Sequence, residues 1–393
     1  MRALVVAGEA PTNRQHVTTV LDALTEAGDE ALLVIGNSTP GPYAYEARTK
    51  LGRMVNGFLW ARFGWARNPY NARKWQWEGP AGENVDASND AWSTPFPPAR
   101  GQLPWRPDVL IVVTPNQGWT KHQVVPWAKR EAIPVLSIDH GSPTLTWPWL
   151  GYRGSMMGCN ANAVWSEVCR DINVGVGAPA ERQIITGSPS LDGLEAASDV
   201  DVHEALGLDP ARKIVLMLGS HRPPVKGPAD ALFLKALAAY GERDDVVFVH
   251  KPHPVEVSHG SVLAMPEGVV TTMDQDLYLP LVRHAAVVLS PATSVVIPAL
   301  AFRTPFINTI RPADGAAPPE EVTALLALLK GAVFAYDDLS AILDDGLRPD
   351  EAACQRAFAR LGHRADGKNG ARVAALARWM ADGGAPQAWT DAE

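Results

Sequence analysis

Short continuous apolar runs alternate with amphipathic stretches twice along this chain, and that rhythm constrains the fold more than any other feature. RALVVAG (2–8) leads into an amphipathic stretch from about Arg14 to Ala27 and then into EALLVIG (30–36). A run without polar alternation belongs to a strand covered on both faces, so this opening predicts a parallel β-α-β unit. The rhythm resumes with DVLIVV (108–113), a helix near Lys121 to Glu131 and PVLSID (134–139). AVWSEV (163–168), a strand or helix start, and QIITG (183–187) complete the first series.

A polar stretch, SPSLDGLEAASDVDVHE (188–204), has no strong apolar period and marks a domain junction. Beyond it KIVLMLGS (213–220), DVVFVHKPH (245–253), AAVVLS (285–290) and PFINTI (305–310) read as strands. Helical stretches near 228–241, 275–283 and 294–302 separate them, and two helices, 351–362 and 369–381, end the chain. The expected class is α/β, two Rossmann-like doubly wound parallel-sheet domains facing a cleft. The expected units are 1–195, 196–365, and a tail of 366–393. The 393 residues suit two cores of this size.

Composition narrows the class. Hydrophobic residues are 46% and charged residues 20%, which excludes a disordered chain. Cys159, Cys169 and Cys354 are too few and scattered for a disulfide framework or a cysteine zinc site, so a reduced, cytoplasmic protein is expected. The first apolar run is too short for a secretory signal, and no stretch reaches the length of a membrane span. Residues 1–190 carry 17 Lys+Arg against 16 Asp+Glu, whereas residues 191–393 carry 18 against 27. The two halves therefore present different surfaces, the second acidic.

The near-neutral first half hides a basic segment. Between 37 and 107 the β-α rhythm dissolves, and residues 47–77 hold Arg48, Lys50, Arg53, Arg62, Arg67, Arg73 and Lys74 with no acid. Leu51, Met54, Phe58, Ala61 and Trp65 recur at helical spacing, within a possible helix over 45–63. Arg62, Trp65, Arg67, Arg73 and Lys74 are the candidate acceptor or membrane surface. Three uses fit: packing into the domain or a homodimer interface, peripheral contact with an anionic membrane or lipid-linked acceptor, and nucleic acid. A net charge of −8 counts against dedicated nucleic-acid binding.

Ligands of open α/β sheets collect at the carboxyl ends of strands, so the residues just past each run carry the chemistry. Asp139-His140-Gly141 follows one strand, and His140 has the pKa range of a general base, though it serves equally as a turn cap. His250-Lys251-Pro252-His253-Pro254 follows another, with Lys251 and His253 as donors for a pyrophosphate. His221 and Arg222, with Lys226 nearby, lie after the first strand of the second half. Ser290, Thr293 and Ser294 stand where a helix begins.

The order HGSP, GSPSLD, a turn with HR, KPHP and a Ser/Thr pair opening a helix resembles the two-domain GT-B transferases. Within them it is most similar to the CDP-glycerol glycerophosphotransferases and related capsule and teichoic-acid glycosyltransferases, over about residues 108–310. UDP-N-acetylglucosamine 2-epimerases share the framework, and His221-Arg222 echoes their His-Arg segment. The resemblance implies a transferase that moves a sugar or polyol-phosphate from a nucleotide-diphosphate donor to a hydroxyl acceptor in cell-surface glycan or lipid-linked polymer synthesis. In that scheme His140, with Asp139, is catalytic. His221, Arg222, Lys251, His253, Ser290, Thr293 and Ser294 hold the donor, and neither cofactor nor metal is needed. The alternatives are a UDP-sugar 2-epimerase, a glycosyltransferase acting on nucleic acid, and a non-catalytic nucleotide-binding relative. Three positions depart from the pattern: Pro298 stands where an acid is usual, Pro291 replaces an Asp, and Ser190 replaces an Arg.

Overall fold

The structure, a computed structural model, describes residues 1–8, 15–36, 75–78, 84–87, 103–113, 124–139, 159–175, 178–220, 223–258, 260–291, 293–309 and 320–391. Its first part runs β1 (Arg2–Gly8), α1 (Thr18–Glu26), β2 (Glu30–Gly36), β3 (Trp75–Glu78), β4 (Asn84–Ala87) and β5 (Val109–Val113). There follow α2 (Val125–Arg130), β6 (Val135–Ile138), β7 (Ala161–Val164), α3 (Glu167–Gly175) and β8 (Gln183–Ile185). The sheet order is β4-β3-β2-β1-β5-β6-β7-β8.

Six of these strands, from β2 to β8 along that order, pair in parallel, as the continuous apolar runs require. One feature departs from expectation. β3 pairs antiparallel to β2 and to β4, so a hairpin extends the sheet from within the stretch read as patternless. WQWE and NVDA are short and carry no apolar run, which is why periodicity does not reveal them. AVWSEV divides into the end of β7 and the start of α3.

After the junction come α4 (Val202–Leu206), β9 (Lys213–Leu218), α5 (Pro223–Tyr240), β10 (Val246–Lys251), α6 (Pro254–Ser258), β11 (Val270–Thr271), α7 (Tyr278–His284), β12 (Val287–Ser290), α8 (Val296–Phe302) and β13 (Phe306–Asn308). Helices α9 (Glu320–Leu328), α10 (Leu339–Asp344), α11 (Glu351–Leu361) and α12 (Asn369–Ala381) finish the chain. All five strands of the second sheet, in the order β11-β10-β9-β12-β13, are parallel.

Each sheet is covered on both faces. Val5, Ile111 and Leu136 meet α1 and α12 on one side of the first sheet, and Leu4, Leu110 and Val135 meet α2 on the other. In the second sheet Met217, Phe248 and Leu289 face α5 and α10. Leu216, Val249 and Val288 face α7, α8 and α11.

α12 crosses back from the second series and buries Val373, Leu376, Ala377 and Met380 against the first sheet. The junction motif GSPSLD anchors its start. Asp192 accepts the backbone N–H groups of Asn369 at 2.9 Å and Gly370 at 2.7 Å, which would otherwise lack partners at a helix start. Asn369 Nδ2 donates to Ser188 O at 3.1 Å. Gly187 sits at φ +78, and a Cβ there would collide with the Asn369 side chain.

Candidate functional site

Of the expected site residues, Asp139, Lys251, His253, Ser290, Thr293 and Ser294 fall among the described residues, all at the carboxyl ends of strands or just beyond. His140, His221, Arg222, Arg62, Trp65, Arg67, Arg73 and Lys74 lie outside them, as does the helix read over 45–63.

In the first domain Asp139 leaves β6 fully buried, and among the described residues its carboxyl meets two side-chain amides. Asn162 Nδ2 donates to Oδ1 at 3.1 Å and Asn173 Nδ2 to Oδ2 at 3.3 Å. The same two amides donate to Gln183 Oε1 at 3.2 and 3.1 Å, and Ser137 Oγ donates to Asn162 Oδ1 at 2.6 Å. These five polar side chains, from β6, β7, α3 and β8, are at most 4% exposed. Burial pushes the Asp139 carboxyl up to about 7, against the pull of the two asparagine amides. Its main chain is held too, since Trp165 Nε1 donates to Asp139 O at 2.9 Å. His16, buried in the connection from β1 to α1, lies with its ring 5.7 Å from that indole. Sequence reading missed His16, Asn162 and Asn173. A polar residue inside an apolar strand, as Asn162 is, was the available signal.

In the second domain Lys251 ends β10, directly opposite Leu218 of β9, and points to the same face as Val247 and Val249. Ser290 ends β12 on the other side of β9. Parity puts Ser290 on the Lys251 face, two strand spacings or roughly 10 Å away. The Lys251 ammonium is buried and, among the described residues, Nζ has no hydrogen-bond partner. Burial pulls it down to about 8, with the charges of Asp274 and Asp276 acting in the opposite direction. A buried ammonium without a partner is costly, and it marks a place where an anion would be favoured. Its neighbour His250 faces the opposite side, also buried, with Nδ1 unpartnered among the described residues. Burial and then the Lys226 charge lower its pKa to about 4, so His250 is neutral at pH 7. Thr309 Oγ1, past β13, is also buried and has no partner among the described residues.

Other expectations change. Lys226 is committed to Asp230 at 3.0 Å and to Glu256, so it is not a free phosphate contact. Thr293 and Ser294 precede α8 without capping it, because Val295 is the N-cap and no side chain bonds there. Pro298 is buried within α8. Although the transferase scheme needs no metal, the sequence holds two Asp-x-Asp pairs, Asp199/Asp201 and Asp274/Asp276. Asp201 caps α4 through the His203 and Glu204 amides, and Asp274 accepts the Asp276 amide at 2.9 Å. Among the described residues no group of three acids, histidines or cysteines could hold a metal ion, and no helix is long and apolar enough to cross a membrane.

No family model matches this sequence, and no curated protein matches it. Solved structures do match. The Staphylococcus aureus MnaA structure with UDP superposes with a TM-score of 0.58 at 12% identity, covering 97% of each chain. The UDP-GlcNAc 2-epimerase of Neisseria meningitidis bound to UDP-GlcNAc gives 0.56 at 14%, over 97% of this chain and 100% of that one. The Methanocaldococcus jannaschii UDP-GlcNAc 2-epimerase in complex with UDP-GlcNAc and UDP gives 0.56 at 12%, over 96% and 100%. At such identity the likeness establishes the fold. The chain has the GT-B architecture of two Rossmann-like parallel-sheet domains, of six and five parallel strands.

Proposed function

We propose that this chain is a GT-B enzyme that binds a nucleotide-diphosphate sugar or polyol-phosphate at the carboxyl edge of the second sheet. It transfers the activated group to a hydroxyl acceptor held by the first domain. The observation that carries the reading is the buried Lys251 ammonium at the end of β10, which has no hydrogen-bond partner among the described residues. An anionic donor supplies the missing counter-charge, and negative charge growing on the leaving nucleotide strengthens the interaction in the transition state. Similar solved structures hold UDP or UDP-GlcNAc, which supports a nucleotide ligand.

The roles follow the motif order. His140 is the base for the acceptor hydroxyl, His221, Arg222 and His253 complete the phosphate site, and Ser290, Thr293 and Ser294 add hydrogen bonds. The domains run 1–195 and 196–365, with 366–393 returning to the first. The basic segment with Arg62, Trp65, Arg67, Arg73 and Lys74 receives a lipid-linked or glycan acceptor from the cytoplasmic face of a membrane. The link to CDP-glycerol transferases rests on motifs alone.

Epimerisation at C2 of a UDP-sugar is the second reading, favoured by full-length similarity to 2-epimerases. Incubation with UDP-, CDP-, GDP- and ADP-linked donors, followed by NMR of the sugar, separates the two. Release of nucleoside diphosphate (or, from a CDP-polyol, of CMP) only when a hydroxyl acceptor is present supports transfer. A change at C2 without acceptor supports epimerisation and sinks the transferase reading.

A further inference from the structure

The turns that follow β9 and β10 meet at one carboxylate. Glu256, only 1% exposed, accepts the His253 backbone N–H at 2.8 Å through Oε2 and pairs through Oε1 with Lys226 of α5. Lys226 is held in turn by Asp230 at 3.0 Å. Part of this is ordinary capping: His253 is the residue before α6, Pro254 its first residue, and Glu256 stands three positions on, where a Glu reaches back to the cap N–H. Two features exceed a cap. The first is the ion pair to a different helix. The second is Gly219, whose N–H donates to Lys251 O at 3.0 Å. A Cβ on Gly219 would collide with Glu256 Oε2 and stand 2.9 Å from His253 N and 3.1 Å from Pro252 Cα. The absent side chain lets the first turn lie directly on the second.

A buried carboxylate adds little to stability over an apolar side chain of similar volume, but removing one partner of its network leaves another uncompensated. Here the carboxylate lies between the Gly219 turn and Pro252-His253, and the turn it holds begins at Lys251. We propose that Glu256 is a positioning residue that locks the Lys251–Pro254 turn to the Gly219 turn and to α5, and so sets where Lys251 and His253 meet an anionic ligand. The proposal rests on the second-sheet edge being the donor site, although the lock itself is measurable without ligand.

The test uses the full chain with Glu256→Ala, Glu256→Gln and Lys226→Met, with far-UV circular dichroism as a check of folding. Amide hydrogen exchange at His253 accelerates about tenfold or more in Glu256→Ala, which loses the acceptor. It stays near wild type in Glu256→Gln, which keeps one. UDP as probe binds about tenfold more weakly to Glu256→Ala, with turnover showing the loss in KM rather than kcat. Adding Lys226→Met to Glu256→Ala costs nothing further, because both act through one link. Wild-type exchange at His253 in a folded Glu256→Ala overturns the lock. Faster exchange with unchanged UDP affinity overturns the positioning role. If wild-type protein binds no nucleotide while exchange still accelerates, the donor reading fails, the ligand part of the proposal fails with it, and the lock stands. Should Glu256→Ala not fold, Glu256→Gln decides alone: its lost charge at Lys226 must weaken UDP at least threefold, and unchanged affinity refutes the proposal.

Discussion

Replacing Asp139 with Asn probes the buried polar cluster beneath the first-domain strand ends. In the folded chain the carboxyl holds its proton to about pH 7, against 3.8 for an unperturbed Asp. Below pH 3.8 folded and unfolded states are both protonated there, and this group contributes no pH dependence. As pH rises from 3.8 to 7 the unfolded chain releases a proton that the native state keeps, so stability falls by about 1.4 kcal/mol per unit. Above pH 7 both are ionised and the deficit is constant at about 4 kcal/mol. An amide cannot ionise, so the deficit disappears in Asp139→Asn. The substitution does place an N–H₂ against the Asn162 or Asn173 donor, a cost of about 1–3 kcal/mol. That cost does not vary with pH. The difference in unfolding free energy between variant and wild type therefore shifts by about 3 kcal/mol in the variant's favour between pH 5 and pH 8. Urea unfolding at unit pH steps reads this directly. Parallel pH profiles for the two proteins would refute a proton on Asp139.

Three further outcomes follow from the geometry. Gly187→Ala, at φ +78 and against Asn369, costs about 2 kcal/mol or more in urea unfolding, since a left-handed backbone alone costs a β-carbon about 1–2 kcal/mol. Asp192→Ala strips the acceptor from two α12 amides and lowers stability by about 1–3 kcal/mol, measured the same way. Lys251 carries its charge below about pH 8, so nucleotide affinity measured by calorimetry weakens as pH rises through that value, and Lys251→Met abolishes the dependence.

The parallel framework was legible because strands buried on both faces must be apolar throughout. RALVVAG and EALLVIG became β1 and β2 with their expected bounds, and the last helix, Asn369–Ala381, matched its apolar period. The hairpin β3–β4 was not, since its eight residues take their pairing from the edge of β2 rather than from their own pattern. The role of α12 was also hidden: periodicity gives its apolar face but not which sheet that face covers. At the site, KPHP drew attention through its prolines and cations. Nothing in PVEVS distinguishes Glu256 from a solvent-facing helix residue, and its contacts arise only where two turns are brought together. Asp139 was visible as the residue before His140, but its buried amide cluster depends on Asn162, Asn173 and Gln183, which come from three other elements.

Calorimetric titration of UDP, CDP, GDP and ADP conjugates into the wild-type chain and into Lys251→Met tests the central claim most directly. At least one conjugate should bind the wild type, and the same conjugate should bind Lys251→Met about tenfold or more weakly, the loss of one charge-assisted contact. Equal affinity for both proteins, or no binding of any conjugate, would contradict a donor site built on the Lys251 ammonium.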